Sequence, residues 1–466
     1  MSPLWTSLEM QAATLGHATH DFEASGVSID TRTLKTGDLF VALKGDARDG
    51  HEFVSMALTK GAAGAMVSHA GDDVPIDAPL LRVAHTMRGL EDLGRAARSR
   101  AGGRIVAVTG SAGKTTTKEM LRRALGALGD AHASLASYNN HWGVPLSLAQ
   151  MPRQSAFGVF EIGMNHFGEI RTLAGLVRPE VAIITTIGPA HLEYFGSIEA
   201  IADAKSEIFE GLVPGGTAIL PADNSCTDRL VARARQAGVG HILFFGGPAG
   251  GDARILSQDE NANGMRLETE ILGRRYAFHI GALGAHMAQN ALATLLAVSV
   301  LGCDIEASAA ALAEFSALKG RGARFAVSLG GGSAEIIDES YNANPASMRA
   351  ALGLLDSARP GAGGRRIAVL GDMLELGADS TSLHAALASP VEEARADLVF
   401  ACGRDMRALF DALPVSRRGA WGEMSSDIAP EVARSARAGD VILVKGSLGS
   451  RMAVVLDALK SAGRAA

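Results

Sequence analysis

Thr109-Gly110-Ser111-Ala112-Gly113-Lys114-Thr115-Thr116-Thr117 is the stretch that decides the fold of this chain. A β-branched apolar run (104–108) precedes it, and apolar residues at helical spacing follow (120–128), so the order is strand, glycine loop, helix. Small residues let backbone N–H groups surround phosphate oxygens, and the helix N-terminus adds its positive dipole. We expect Lys114 to neutralise a phosphate and the Thr115 hydroxyl to reach Mg²⁺.

The loop departs from the common phosphate-loop motif at one position. A glycine usually stands five residues before Gly113, and Val108 occupies that place. A plain Gly/Ser turn is the alternative interpretation, but Gly-Lys-Thr between a strand and a helix favours phosphate binding.

Length and composition predict a globular protein of several domains. The chain has 466 residues, 47% of them hydrophobic and 20% charged, which suffices for roughly three packed domains. Its net charge of −6 argues against general nucleic-acid binding. Three scattered cysteines predict a reducing compartment and no cysteine-rich metal site.

The sequence also bears on location. Residues 1–25 lack the basic start and apolar core of a signal peptide, and the longest apolar stretch, 288–301, is too short to span a bilayer. We therefore expect a cytoplasmic protein that is not inserted in a membrane.

The first hundred residues read as a small α/β module that ends in a charged helix over 87–100. Ser28, Asp30, Arg32 and the Asp49-Gly50-His51 loop could hold a ribose, a base or a phosphate. The alternative is that they are turn formers and surface charges.

Residues 104 to about 315 alternate strand and helix, which predicts a mostly parallel, doubly wound sheet with ligands at the carboxyl ends of its strands. Glu161 ends one strand, and His191 lies in the loop after another. A carboxylate and an imidazole at these ends suit a magnesium-bound nucleotide, although either could be structural.

Lys205 lies in the apolar stripe of a predicted helix, seven residues after Ile198. One interpretation is a desolvated amine that is neutral and reactive. The other is a lysine whose stem is buried while its ammonium reaches water.

Three asparagines complete the central candidates. Asn139 and Asn140 lie in a polar loop after the phosphate-loop helix, where phosphates are near. Asn290 lies near the start of an Ala/Leu-rich helix and could read an adenine edge or serve as a helix cap.

A second alternating segment begins near residue 319 and predicts a smaller Rossmann-like domain. None of its loops carries a complete phosphate motif, so we expect it to supply a substrate surface.

In combination these motifs resemble those of the Mur ligases of bacterial cell-wall synthesis, over essentially the whole chain. The short phosphate loop is similar to that family's version, which accounts for Val108. The resemblance is carried by Ser28-Ile-Asp-Thr-Arg32, Asp49-Gly-His51, Asn139-Asn140, Gly143-Val-Pro145, Glu161-Ile-Gly-Met-Asn165, His191-Leu-Glu193, Ala204-Lys-Ser-Glu-Ile208, Tyr341-Asn-Ala-Asn-Pro345 and Gly371-Asp-Met-Leu-Glu375.

The resemblance implies three α/β domains: a uridine-nucleotide module (1–102), a central ATP-binding domain (103–317) and a C-terminal Rossmann-like domain (318–466). It implies that ATP phosphorylates the terminal carboxylate of UDP-N-acetylmuramoyl-tripeptide, and that the amine of D-alanyl-D-alanine attacks the acyl phosphate. Closure between domains would bring the substrates together, with Gly102-Gly103 and 319–322 as expected hinges. A monomer is the family expectation.

The resemblance also implies residue roles. The residues expected to bind ATP are Gly110, Ser111, Ala112, Gly113, Lys114, Thr115, Thr116, Asn290, Arg324 (or Arg321) and Asp338. The residues expected to bind Mg²⁺ are Thr115, Glu161, His191 and Lys205, the last as a carbamate. The residues expected to contact the other substrates are Ser28, Asp30, Arg32, Asp49, His51, Asn139, Asn140 and Asn344. Catalysis is expected to depend on Lys114, His191 and Lys205.

Several alternatives stay open. The Mur ligase that adds the third amino acid carries Asp-Asn-Pro-Arg where diaminopimelate is used, whereas this chain has Asn344-Pro345-Ala346-Ser347. Folylpolyglutamate synthase has a related fold but is not expected to have a uridine-type first domain. A P-loop ATPase switch would lack the combination of Glu161, His191 and Lys205. The sequence leaves the third residue of the tripeptide open.

Overall fold

The strand before the phosphate loop lies inside a nine-stranded sheet in the computed structural model, which describes residues 3–45, 48–134, 137–247, 251–261 and 264–465. Across the sheet the strands run Arg274–Ile280, Gly264–Ile271, Ala253–Asn261, His241–Phe245, Thr217–Pro221, Val181–Ile184, Arg104–Thr109, Phe157–Glu161 and Ala131–Ala133.

Alternate residues of strand Arg104–Thr109 are buried on opposite faces of this sheet. Val106 and Val108 pack on one side against helices Lys114–Gly126 and Ala285–Val300. Ile105 and Ala107 pack on the other side. The helices and 3₁₀ turn on that second side are Gly143–Ala149, Glu169–Val177, Leu192–Phe195, Ile198–Ser206, Glu207–Gly211 and Thr227–Gln236. Burial on both faces explains why the strand is a continuous apolar run.

One part of the predicted alternation is wrong. From 253 to 280 the chain forms three consecutive antiparallel strands, and the described residues between them form no helix. These strands extend the sheet, and Ile305–Leu312 packs beside them. The six strands from Ala131–Ala133 to His241–Phe245 are mutually parallel, as predicted.

The N-terminal domain has a five-stranded sheet in the order His17–Ala18, Leu80–Arg82, Gly64–Val67, Asp38–Val41 and Gly26–Ser28. All neighbours are parallel except the first pair. A small antiparallel pair and the helices and 3₁₀ turn cover it, at Trp5–Thr6, Glu23–Ala24, Ser7–Thr14, Gly50–Phe53, Val54–Thr59 and Thr86–Arg100.

The C-terminal domain has a six-stranded sheet in the order Ala323–Leu329, Gly332–Glu339, Val441–Lys445, Arg366–Gly371, Leu398–Cys402 and Arg418–Gly422. Only the first pair is antiparallel. The flanking helices are Pro345–Ser357, Ser380–Ala385, Ala388–Glu393, Met406–Ala412, Ser425–Ser435 and Ala453–Ala465, with 3₁₀ turns Gly377–Asp379, Val415–Arg417 and Leu448–Ser450. Three α/β domains confirm the predicted fold class. The boundaries after 102 and 317 stay predictions.

The N-terminal and central domains share packed surfaces. Buried Trp5 donates from Nε1 to the Ala149 carbonyl at 2.8 Å, and Gln150 Nε2 donates to the Val27 carbonyl at 2.6 Å. At the expected hinge, a Cβ on Gly103 would lie 2.2 Å from the Ser155 carbonyl oxygen. In this conformation the two domains therefore contact each other well beyond the linker.

No helix within the described ranges is both long and apolar enough to span a bilayer.

Candidate active site

The phosphate loop requires glycine at two positions. Gly110 has φ +150, and a Cβ there would lie 1.9 Å from Thr185 Oγ1. Gly113 has φ +81, and its Cβ would lie 2.8 Å from Asn290 Oδ1. Any side chain would therefore push apart the loop, the next strand end and the Asn290 helix.

Hydrogen bonds hold the same loop against the end of strand Val181–Ile184. Ser111 Oγ donates to the Gly188 carbonyl at 3.0 Å, and Thr185 Oγ1 donates to the Ala112 carbonyl at 2.5 Å. The loop is thus braced before a nucleotide arrives, which reduces the ordering cost of binding.

Lys114 begins the helix after the loop and folds back over it. Its Nζ donates to the Gly110 carbonyl at 2.7 Å. Burial lowers the pKa of this lysine; the Glu161 carboxylate opposes the shift, and the nearby Arg321 guanidinium adds to it. An anionic phosphate would relieve both penalties.

The Glu161 carboxylate accepts hydrogen bonds from two separate segments of the central domain. It is 1% exposed, and its Oε2 accepts from Thr115 Oγ1 at 2.8 Å. Its Oε1 accepts from Asn139 Nδ2 at 2.7 Å. The predicted neighbours Thr115 and Glu161 do come together, and Asn139 supports the carboxylate.

Lys205 points inward and is 1% exposed. Its Nζ lies 3.9 Å from Met164 Sδ. Burial lowers its pKa well below the ordinary lysine value, and the Lys114 charge acts in the same direction. A neutral amine is therefore favoured over the snorkelling alternative.

His191 follows strand Val181–Ile184 in a left-handed conformation with φ 62. Its Nδ1 lies 2.5 Å from Oε2 of Glu375, which belongs to the C-terminal domain. The His191 imidazole beside it lowers the pKa of the Glu375 carboxyl. Sequence reasoning used the motif ending at Glu375 as a family marker but assigned this residue no role.

A cavity of about 790 Å³, the larger cavity, unites most of the central candidates with loops of the C-terminal domain. The predicted site residues among its lining are Ser111, Ala112, Gly113, Lys114, Thr115, Asn139, Asn140, Glu161, His191, Lys205 and Asn344. Asn344 caps helix Pro345–Ser357 and donates from Nδ2 to the Ser111 carbonyl at 3.3 Å.

A cavity of about 280 Å³, the smaller cavity, adjoins it and shares the phosphate loop. Asn290, Gln289 and Phe245 line it, together with Thr116. A pocket that combines apolar and amide groups suits a nucleobase. Buried Lys445 also lines it, and burial lowers the pKa of this lysine although the adjacent Glu339 carboxylate, 3.3 Å from Nζ, opposes the shift.

Arg321, and not Arg324, lines both cavities within the described chain. The Arg321 guanidinium lies 4.2 Å from the centroid of the Tyr341 ring. Arg324 instead pairs with Glu335 at 3.0 Å. Buried Asp338 accepts the Gly320 N–H at 3.0 Å and so holds the turn that presents Arg321.

The N-terminal candidates lie at the end of strand Gly26–Ser28 or in the segments that follow it and its parallel neighbour, Asp38–Val41. Arg32 donates from Nε and Nη2 to the Asp30 carboxylate, whose pKa this hydrogen bonding lowers. The Ser28 hydroxyl donates to the Asp30 carbonyl at 3.1 Å. These three residues lie outside both cavities described above.

His51 is buried beside Asp49. Its Nε2 accepts the Ser68 N–H at 3.0 Å, so the proton is on Nδ1, 2.5 Å from Asp49 Oδ1. Both ring nitrogens are engaged, and hydrogen bonds from the His51 backbone and side chain lower the pKa of Asp49. Although Asp49, His51 and His69 are close enough to share an ion, His51 offers no free lone pair. Asn140 is likewise engaged, because its Oδ1 accepts the Gly143 N–H at 2.9 Å.

The donor chemistry in the larger cavity suits Mg²⁺. Mg²⁺ prefers oxygen ligands and is commonly held by one or two carboxylates together with substrate phosphates. A hydroxyl and a carboxylate, Thr115 and Glu161, stand beside the phosphate loop. A carbamate on Lys205 would add a second anionic group to the cavity that His191 also lines.

Comparisons with known proteins agree with this geometry. Three family models match: the Mur ligase family catalytic domain over 23–100, the Mur ligase middle domain over 108–298, and the Mur ligase glutamate ligase domain over 323–448. The UDP-N-acetylmuramoyl-tripeptide–D-alanyl-D-alanine ligase of Rickettsia prowazekii is 31% identical over 454 residues, which are 97% of this chain and 99% of that protein.

Solved structures give the same result. MurF from Acinetobacter baumannii superposes with a TM-score of 0.85 at 30% identity, covering 98% of this chain and 99% of that chain. MurF from Thermotoga maritima in complex with ADP has a TM-score of 0.78 at 26% identity, covering 94% and 98%. The chain, with its three α/β domains and a cavity lined by the central and C-terminal domains, belongs to the Mur ligase family.

Proposed function

We propose that this chain is the ATP-dependent ligase that joins D-alanyl-D-alanine to UDP-N-acetylmuramoyl-tripeptide. The observation that carries the proposal is the larger cavity, in which the phosphate loop, Glu161 and Lys205 face loops of the C-terminal domain. Relatives across the full chain length are named for this activity, and a relative binds ADP.

The chemistry needs no nucleophilic side chain. The terminal carboxylate of the tripeptide attacks the γ-phosphorus of ATP, ADP leaves, and an acyl phosphate forms. The amine of D-alanyl-D-alanine then attacks the acyl carbon, loses a proton and displaces phosphate. Lys114 and the loop N–H groups stabilise charge on the transferred phosphoryl group.

Two groups of residues would hold Mg²⁺, which supplies charge neutralisation at the phosphates. Thr115 and Glu161 form the first group. His191 and a carbamate of Lys205 form the second, since carbon dioxide adds to a neutral amine with loss of one proton. Burial favours that neutral amine.

The nucleotide would extend from the phosphate loop into the smaller cavity. Asn290 supports an adenine contact because it lies beside Gly113 and lines this cavity. Arg321 takes the role that was predicted for Arg324, because it lies at the junction of the two cavities. Asp338 acts indirectly, because its carboxylate holds the turn at Gly320 that presents Arg321.

The remaining substrates would meet on either side of the phosphates. The Ser28, Asp30 and Arg32 cluster would take the uridine nucleotide, and Asn140 and Asn344 would line the path of the peptide. Asp49, His51 and Asn139 would act by supporting these loops, since their polar atoms are already paired. We propose that the protein is a cytoplasmic monomer. Its mass in solution, measured by sedimentation, tests whether it is a monomer.

Phosphate release tests the function. It should require ATP, Mg²⁺, UDP-N-acetylmuramoyl-tripeptide and D-alanyl-D-alanine together, with the tripeptide supplied in diaminopimelate and lysine forms. Equal turnover without the dipeptide would indicate an ATPase switch. Turnover with a dipeptide nucleotide and a single amino acid would indicate the ligase that adds the third residue. The arginine that this ligase carries where diaminopimelate is used is absent from Asn344-Pro345-Ala346-Ser347.

A further inference from the structure

His191 and Glu375 form a contact between the central and C-terminal domains. His191 Nδ1 lies 2.5 Å from Glu375 Oε2. The backbone joins the same two loops, because the Glu193 N–H donates to the Glu375 carbonyl at 3.1 Å. Gly377 packs against Glu193, so that a Cβ would lie 3.2 Å from the Glu193 Cα.

Both residues adopt a conformation that side chains rarely take. His191 has φ 62 and Glu375 has φ 62, and neither is glycine. Left-handed backbone at such residues costs free energy and persists where the surrounding structure fixes it, commonly at functional sites. Two strained residues facing each other across a domain boundary indicate that their contact has a use.

The loop that carries Glu375 is fixed from within its own domain. The fully buried His384 accepts the Met373 N–H at Nε2 (2.9 Å), and its Nδ1 donates to the Ser380 carbonyl at 2.7 Å. The Leu374 N–H donates to Ser447 Oγ at 3.0 Å. Glu375 is therefore presented to His191 by a braced loop.

A carboxylate at one ring nitrogen of a metal-binding histidine fixes the tautomer and the orientation of the ring. The Glu375 carboxylate lies 2.5 Å from Nδ1 as an ion-pair contact rather than an aligned hydrogen bond. A proton held on Nδ1 beside this carboxylate would leave Nε2 as the unprotonated donor. His191 lines the larger cavity.

We propose that Glu375 is the positioning residue of His191, so that docking of the C-terminal domain completes the metal-binding arrangement in the central domain. This rests on the proposed function, which assigns His191 to metal binding. Glu375 contacts no reacting atom and acts through His191. The arrangement couples closure of the C-terminal domain to the readiness of the site for phosphoryl transfer.

Mn²⁺ binding tests this without relying on turnover. Mn²⁺ would be titrated into the protein in the presence of a non-hydrolysable ATP analogue. Electron paramagnetic resonance would measure the free Mn²⁺ at each step. We expect Glu375→Ala to weaken the affinity for the Mn²⁺ that depends on His191 by about 10–100-fold. Glu375→Gln keeps an acceptor oxygen and the side-chain volume, so it should lose less.

A double-mutant comparison separates positioning from general damage. If Glu375 acts through His191, then His191→Ala combined with Glu375→Ala should bind Mn²⁺ no more weakly than His191→Ala alone. Glu423→Gln, on an exposed pair with Arg404 in the same domain, is the matched control and should bind as the wild type does. Thermal unfolding confirms that each variant is folded.

Wild-type Mn²⁺ affinity in both Glu375 variants, or additive losses in the double variant, would overturn the proposal. Failure of the ligase assignment is distinguishable, because it would show in the wild-type protein as turnover that does not depend on the dipeptide.

Discussion

The Thr115 hydroxyl donates a hydrogen bond to Oε2 of Glu161 at 2.8 Å, and this bond links the first turn of the phosphate-loop helix to the end of the neighbouring strand. The two residues are far apart in sequence but adjacent in space, because strand Phe157–Glu161 pairs in parallel with Arg104–Thr109, the strand that leads into the phosphate loop. Parallel pairing brings the carboxyl ends of both strands to one edge. A ligand that enters there meets a hydroxyl and a carboxylate at once.

Glu161→Gln should abolish most ligase activity while leaving the protein folded. The amide keeps the size of the side chain but loses the anionic oxygen, so kcat should fall by about 100-fold or more. Steady-state phosphate release across a range of Mg²⁺ concentrations measures the loss. Glu314→Gln, at an exposed carboxylate that pairs with Arg123 of the phosphate-loop helix, is the control and should keep its activity. Wild-type kcat in Glu161→Gln would exclude a metal role for this carboxylate.

Lys205→Ala should lose most activity and regain part of it with added acetate or formate. A short carboxylate can enter the space left by the side chain and stand in for a carbamate. Phosphate release at rising carboxylate concentration measures the rescue, and sodium chloride at equal ionic strength is the control. Normal activity without rescue would remove Lys205 from the mechanism.

The sequence predicted those parts of the fold and site that depend on local pattern. The β-branched run before Gly110 and the helical stripe after it are local signals, and both elements form as expected. The inward position of Lys205 followed from helical spacing and is confirmed by its 1% exposure. Strand-end residues Glu161 and His191 followed from the parallel sheet.

The misses depend on long-range packing. The strands from 253 to 280 were read as part of an alternating pattern because their antiparallel pairing is set by neighbours rather than by local spacing. The contact between Glu375 and His191 joins two domains, and no local sequence pattern predicts it. Arg321 and Arg324 share the same local context, so the sequence left both open, and the preference for Arg321 rests on the cavities that it lines.

Arg321 and Arg324 form a natural test pair. Arg321→Ala should raise the KM for ATP by about 10-fold or more, since a charge-assisted contact contributes about 1.5–3 kcal/mol. Arg324→Ala should leave the KM within about twofold, because its guanidinium pairs with Glu335 outside the cavities. Initial rates at varied ATP measure both values. The reverse ranking would restore the original prediction for Arg324.

His132 should make the stability of the central domain depend on pH. Its Nε2 donates to the Ser147 carbonyl at 2.7 Å, and burial lowers the pKa of the ring below its ordinary value of 6.5. The unfolded chain therefore binds a proton before the folded chain does. Stability contributed by the neutral ring is present above pH 6.5 and is lost as the pH falls through the folded pKa.

His132→Gln keeps a donor for the Ser147 carbonyl and removes the titration. Relative to this variant, the wild-type free energy of unfolding should fall on acidification below pH 6.5, by at most about 1.4 kcal/mol per pH unit for one proton. Urea unfolding at pH 5, 6, 7 and 8 measures the difference, with His241→Gln, at an exposed ring on the strand His241–Phe245, as the control. Parallel pH profiles for wild type and His132→Gln would show that the ring titrates alike in the folded and unfolded chains.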